Sequence, residues 1–244
     1  MKQKQKVHFE LHHGPVAQFC DVLLDGKYCT REFGRLGAPA ARRTGGNYAD
    51  EATALTAFKN QVRRLELKKY VAGHQNAQLL AAIQREPDVL APYLVYADWL
   101  AYRDDPRGRL ISMMAEGDRS AEKFIEKHEC TLFPTEWKAF TSDARWLLGF
   151  LQSISVEMSQ PTRLTRVLRH PSSFVLQELV LVRPTVWWLQ YQTEVRRLVS
   201  MLSPQLKRLT LQVWPHASTR NHYERSAAAL REAFPLLKVE LTTG

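Results

Sequence analysis

The chain has 244 residues, 45% hydrophobic and 24% charged, a balance that excludes a fibrous or disordered chain and leaves room for one large domain or two to three small ones. No run of about 18 apolar residues occurs, so no membrane-spanning helix is expected. The net charge of +9 is uneven: residues 1–73 hold 13 basic and 7 acidic side chains, residues 74–144 hold 8 and 12, and residues 145–244 hold 13 and 6, so two basic ends flank an acidic middle.

The chain opens with MKQKQKVHFE, which is basic with no apolar run behind it, unlike a secretory signal. VHFELHH reads as a strand, and AQFCDVLLDGKYCTREF reads as two strands around Asp25-Gly26, a dipeptide suited to a tight hairpin turn. Centring the turn on those two residues sets Val22 opposite Cys29 and Cys20 opposite Arg31, with the two cysteines as diagonal neighbours. A short strand is expected near RRTGGNY. DEATALTAFKNQVRRLELKKY then turns helical, with Asp50 as N-cap, Glu51 in the first turn, and Leu55, Phe58, Val62 and Leu65 on one apolar face. On a strand through REFGRLG, Arg31, Phe33 and Arg35 share a face. Two readings are open there. The cations and the ring meet phosphates and a base, or Phe33 faces the core while the arginines reach outward.

Together HFEL, REFGRLG, TGGNY and the helix ending in KKY resemble the WGR domain across residues 6–73. That resemblance implies a small, strongly curved antiparallel sheet crossed by one helix. It also implies nucleic-acid contact of the kind seen in poly(ADP-ribose) polymerases, where the domain meets broken DNA ends and a neighbouring catalytic domain. Phe33 stands at the signature Trp and Arg35 at the signature Arg; Phe keeps a π face but lacks the indole N–H. Arg31, Arg42, Arg43, Lys59 and Arg63 are further candidate phosphate contacts from their charge.

The middle segment begins with a helix through Leu79, Leu80 and Ile83 that Pro87 ends. A second runs through Leu94, Tyr96 and Trp99 to about Arg103, DDPRG makes a turn, and a third starts near Arg109. The intact LVYADWL and DPRG runs resemble a short bacterial repeat-companion helical domain over residues 76–116, a piece that commonly precedes leucine-rich-type repeats and carries no chemistry of its own. Asp98 and Arg107 are expected to form a local salt bridge locking the helical hairpin. The charged stretch AEGDRSAEKFIEKHE reads as a solvated helix.

In the last hundred residues one pattern recurs: Leu151-x-x-Ile154-x-Val156, Leu176-x-x-Leu179-x-Leu181, Leu206-x-x-Leu209-x-Leu211 and Leu236-x-x-Val239-x-Leu241. Helical stretches TRLTRVLRH, QTEVRRLVSML and NHYERSAAALREAF lie between. The plan resembles leucine-rich repeats, whose strand-plus-helix units stack to bury each other's apolar faces. The strand face is the candidate protein-binding surface, with Ser153, Ser155, Glu178, Val180, Arg208, Thr210, Lys238 and Glu240 pointing outward. The adjacent Trp187 and Trp188 in TVWWLQY diverge by about 100° on a helix, so at most one is deep in the core.

No phosphate loop, G-x-G-x-x-G, G-x-S-x-G or H-E-x-x-H occurs. The histidines are scattered. His12 and His13 adjoin on an expected strand and so diverge, and His128 and Cys130 lack further ligands at zinc spacing. With Cys20, Cys29 and Cys130 too few for a disulfide framework, a reducing, cytoplasmic setting is expected. The expected architecture is α+β and multidomain: a WGR-like sheet and helix in 1–73, a helical domain in 74–144 and a leucine-rich-repeat-like slab in 145–244. The expected function is a non-enzymatic bacterial adaptor, without catalytic residues, cofactor, metal, membrane contact or small-molecule substrate, that binds DNA or RNA at one end and a protein at the other. The alternative is a pure protein-interaction or inhibitor/immunity-type module that regulates a protein partner without nucleic acid.

Overall fold

The computed structural model describes residues 4–12, 16–68, 70–133, 137–139, 141–157, 161–182, 205–213 and 217–243. It is α+β, with two five-stranded sheets, and no described helix is long and apolar enough to cross a membrane. The chain forms two compact units, Met1–Leu79 with Leu94–Thr135, and Leu80–Tyr93 with Glu136–Gly244.

In the first unit, β1 (Lys4–Leu11), β2 (Gln18–Asp25), β3 (Tyr28–Arg35) and β4 (Arg42–Asn47) precede α1 (Glu51–Leu67) and the short β5 (Val71–Ala72). The sheet is ordered β4-β3-β2-β1-β5, and all its pairs are antiparallel. Period-two alternation puts Val7, Phe9, Cys20, Val22, Leu24 and Cys29 on one buried face, where Ala54, Phe58, Val62 and Leu65 of α1 join them in one core. As expected, Asp50 caps α1, its Oδ1 accepting from Thr53 N–H at 2.7 Å.

The β2–β3 register departs from the sequence reading. Asp25 pairs with Tyr28, Cys29 faces Leu24, Val22 faces Arg31 and Cys20 faces Phe33. Gly26 has φ +57° and Asp25 has no positive φ. The turn needs only its first central residue in that region, so glycine takes it and Asp25 stays in the strand. Cys20 and Cys29 are therefore not diagonal neighbours; both are buried free thiols.

Helices α2 (Ala77–Arg85), α3 (Leu90–Ala101), α4 (Pro106–Ala115), α5 (Ala121–Lys127) and α6 (Glu129–Leu132) follow. The DDPRG run is a helix start more than a turn. Asp105 caps α4 and Pro106 occupies its first turn, where the missing N–H is no loss, so the helix begins before Arg109. Of the residues expected along α3, Leu94 is exposed and Tyr96 is buried, with Ala97 and Leu100 facing inward beside it. Asp98 is exposed too, and the carboxylate whose charge acts on buried Arg107 is that of Asp105, which corrects the expected Asp98–Arg107 bridge.

Gly108 marks where α4 meets α3. A Cβ there would lie 2.6 Å from the Ala97 carbonyl oxygen and 2.8 Å from the Ala101 nitrogen. Gly108→Ala is expected to lower stability by about 1–3 kcal/mol in urea denaturation, because rigid backbone must move. A change below about 0.5 kcal/mol would mean that the two helices part freely.

The second unit holds β6 (Thr141–Leu147), β7 (Phe150–Glu157), α7 (Pro161–Arg169), β8 (Glu178–Val182), β9 (Arg208–Val213), α8 (Ala217–Ala233) and β10 (Lys238–Thr243). Its sheet runs β10-β9-β8-β7-β6, with β6 antiparallel to β7 and the other pairs parallel. Glu178 pairs with Arg208 and Arg208 with Lys238, so the 30-residue period of the sequence is the register of the sheet. Leu151, Ile154, Val156, Leu176, Leu179, Leu181, Leu209, Leu211 and Val239 are buried as the L-x-x-L-x-L pattern requires. The last unit of the pattern slips: Leu236 is 98% exposed and Leu237 is buried. Leu237 N–H donates to the Phe234 carbonyl at 3.0 Å in the turn that closes α8, and that turn brings Leu237 inward. The tip joining α2 to α3 belongs to this unit, with Gln84 Nε2 donating to the Phe174 carbonyl at 3.2 Å and Tyr93 set edge-on to Phe150 at 5.9 Å. The TVWWLQY and QTEVRRLVSML stretches lie outside the described residues.

Candidate functional site

The arginines singled out in the first unit do not all converge. Arg31 and Phe33 follow Cys29 on the α1 side of β3, and Phe33 packs, half-buried, against the core cluster. Arg42 is opposite Phe33 in the ladder, its guanidinium 5.8 Å from the ring centroid. Arg35 is exposed at the end of the same strand. Arg43 points to the other face and pairs with Glu32 at 3.4 Å. Lys59 and Arg63 are exposed on α1. Among the described residues no carboxylate ion-pairs with Arg31, Arg35 or Arg42.

On the second sheet the expected outward set divides. Ser153 and Ser155 are buried, at 6% and 8% exposure. Ser153 lies between Arg145 of β6 and Glu178 of β8, and these long side chains join across it at 2.5 Å, covering the small hydroxyl. Glu178 also meets Arg208 at 3.4 Å, and Lys238 meets Glu240 at 2.5 Å. Val180 and Thr210 are half-buried. The face available to a partner is thus a charged ladder of Arg145, Glu178, Arg208, Lys238 and Glu240, without the two serines.

A third cluster, which no spacing in the sequence marks, forms on the face of the first sheet opposite α1. Alternation turns Lys6, His8 and Glu10 of β1 and Phe19 and Asp21 of β2 to this side. The β1–β5 pairing sets Glu10 against Val71, and Gly73 N–H donates to the His8 carbonyl at 2.8 Å, which delivers His74 beside His8. The imidazoles of His8 and His74 stack with centroids 3.9 Å apart and planes within 3°. His8 Nδ1 is 2.5 Å from Asp21 Oδ1, and His8 Nε2 is 3.3 Å from Glu10 Oε1. His12 Nε2 holds the other Glu10 oxygen at 2.7 Å, and Lys6 meets the other Asp21 oxygen at 2.9 Å. His74 donates its backbone N–H to Asp105 Oδ2 at 2.9 Å and brings Nδ1 within 3.3 Å of the same oxygen.

These contacts set the charges. Burial alone would pull His8 down, but hydrogen bonds to Asp21 and Glu10 outweigh it and raise the imidazole to about 9. Burial would likewise lift Glu10 and Asp21, yet the bonds from His8 and His12 to the first, and from His8 and Lys6 to the second, hold both below their ordinary values. Asp105 is fully enclosed, and His74 and Arg107 still keep its carboxyl low. The cluster floors a cleft of about 410 Å³, bordered by Phe19, Leu36, Trp99 and Arg103. Arg103 lies 3.9 Å above the Trp99 ring, and Trp99 stands edge-on to His74 at 6.4 Å. Small ligand sites have this form: an apolar rim over a few convergent polar groups.

No family model matches the chain, and no curated protein does. Among solved structures, a Bacteroides fragilis protein from structural genomics aligns over 98% of this chain and 74% of its own length, at 11% identity and a TM-score of 0.27, a likeness too slight to carry an argument about fold or function.

Proposed function

We propose that the chain is a non-enzymatic adaptor whose residues 1–73, as a WGR-like module, contact the phosphate backbone of a nucleic acid. A leucine-rich-repeat-like slab over residues 145–244 contacts a protein through its charged strand ladder. The observation that carries the reading is the basic margin of the first sheet. The Arg42 guanidinium lies 5.8 Å from the Phe33 centroid, Arg31 and Arg35 flank Phe33 on the same face of β3, and no carboxylate of the described residues ion-pairs with any of the three. Three guanidiniums so placed take their counter-charge from outside, and phosphate suits their forked donors. Lys59 and Arg63 on α1 extend the positive field, whereas Arg43 is engaged with Glu32 on the other face.

The test is fluorescence anisotropy with labelled duplex, nicked and single-stranded DNA and with RNA over a salt series. Binding is expected to weaken as salt rises and to fall about 3- to 10-fold in Arg35→Ala or Arg42→Ala. Arg43→Ala should change it little. No binding at low salt, or binding indifferent to Arg35 and Arg42, would remove nucleic acid from the reading. A second reading, a module that grips protein alone, is favoured by the packing of Phe33 on the core, which leaves only part of the ring for stacking. A stoichiometric acidic protein co-purifying with the chain would decide for it.

A further inference from the structure

We propose that His8, Glu10 and His74 form a binding site for a divalent transition ion of the zinc class, open to the cleft of the first unit. The donor set comes first. One nitrogen of each histidine and one carboxylate oxygen of Glu10 all lie within 4.8 Å of one another. Two imidazoles and a carboxylate are a common ligand triad for ions of this type, which keep a further position for water or a substrate oxygen. All three ligands line the cleft, so that further position faces it.

The second observation is independent of the first. Metal-bound histidines characteristically give their other ring N–H to a carboxylate, which fixes tautomer and ring direction. Both histidines have that arrangement. His8 Nδ1 is held by Asp21 at 2.5 Å, and His74 Nδ1 lies 3.3 Å from Asp105. In each case Nε2 is left to point elsewhere; that of His8 already meets Glu10 Oε1 at 3.3 Å. Glu10 is itself oriented by His12, which bonds its second oxygen. Asp21, Asp105 and His12 thus hold three buried or half-buried ligands, and these holding groups come from β2, the N-cap of α4 and the residue following β1.

The geometry also states what binding must change. An ion about 2.0–2.1 Å from each donor draws tetrahedral ligand atoms to about 3.3 Å from one another. It must also lie near the plane of each ring that binds it. Two rings stacked 3.9 Å apart and parallel cannot both meet that condition, so the imidazoles tilt apart as the ion enters. The hydrogen between His8 Nε2 and Glu10 leaves to water. Because His74 stands edge-on to Trp99, the tilt disturbs that contact and gives an optical handle.

The experiment uses the full chain, stripped with a chelator and dialysed, then titrated with zinc and cobalt chlorides by calorimetry and absorption. One ion per chain at micromolar or tighter affinity is expected, with a cobalt spectrum of four- or five-coordinate type. X-ray absorption of the zinc-loaded chain should show two imidazoles plus oxygen. His74→Gln and Glu10→Gln should each weaken binding at least 10-fold, and Asp21→Asn about 10-fold as a positioning change. His128→Ala, outside the cluster, should leave it unchanged. No stoichiometric binding, equal binding in His74→Gln and Glu10→Gln, or a spectrum lacking imidazole ligands would each overturn the proposal. The spectroscopy is done on the unsubstituted chain, so a variant that fails to fold does not shield it. Nucleic-acid binding plays no part in any of these readouts.

Discussion

Asp105→Ala is expected to destabilise the first unit by about 3–5 kcal/mol, enough to unfold a marginal domain. Three consequences of one carboxylate coincide. Its Oδ1 caps α4 by accepting from Arg107 N–H at 3.0 Å. Its Oδ2 accepts from His74 N–H at 2.9 Å, tying the chain after β5 to the start of that helix. Its charge acts on the Arg107 guanidinium, in a residue only 2% exposed. Removing the cap alone costs about 1 kcal/mol. Removing a carboxylate whose charge favours a buried cation costs more than the cap, and that term dominates. Asp105→Asn keeps an oxygen for the cap and should lose less than Ala. Adding Arg107→Met to Asp105→Asn should cost less than the same change in the unsubstituted chain, because the favourable charge of Asp105 is already gone. Urea denaturation followed by circular dichroism measures all three. A loss below about 1 kcal/mol in Asp105→Ala would show that the Asp105 charge contributes little to holding Arg107.

This residue also shows where reading a sequence succeeds and stops. DPRG was legible as a signal, but it looks like a turn because proline and glycine suit turns. Its acidic residue is a helix cap and counter-ion, and its glycine is needed by α3, which lies eleven residues earlier at Ala97. Periodic features were legible because each residue reports on its own neighbours. The Phe58, Val62, Leu65 face of α1 and the 30-residue step from Glu178 to Arg208 to Lys238 are of this kind. Details that depend on one residue's exchange for the next were not, as with Leu237 for Leu236 or the one-residue shift of the β2–β3 turn.

The cleft was illegible for a stronger reason. His8 and Glu10, Asp21, His74 and Asp105 belong to four segments that only sheet pairing and the α4 cap bring together. In the sequence His12 drew notice because it adjoins His13. In the fold it lies past the end of β1 and serves Glu10. Ser153 erred in the opposite direction: alternation gives its face correctly, but not the Arg145–Glu178 pair that covers it.

The metal-free chain is expected to lose stability as pH rises from about 6.5 through about 9, and His8 is the cause. Its folded pKa of about 9 stands above the ordinary 6.5, so the folded state holds the proton more tightly than the unfolded one. The resulting stabilisation is complete below 6.5, shrinks between the two values, and is gone above the higher one. Its size is on the order of 3 kcal/mol. Glu10 and Asp21 act with the opposite sign: their folded pKa values are depressed, so their contribution is present above the ordinary carboxylate range and vanishes as pH falls. The first unit should therefore be most stable between about pH 5 and 6.5. The groups facing His8 are Asp21 of β2, Glu10 of the same strand, and the stacked ring of His74; Lys6 and His12 reach it only through those carboxylates. Arg103, on the cleft wall over Trp99, adds a nearby positive charge. Chemical denaturation in the presence of a chelator at pH 6, 7.5 and 9 measures the slope. His8→Gln should be less stable than the unsubstituted chain at pH 6 and lose most of the slope between 6.5 and 9. A flat profile in the unsubstituted chain, or an equal slope in His8→Gln, would mean that the proton is not held between Asp21 and Glu10, and the charge assignment of the whole cluster would have to be redrawn.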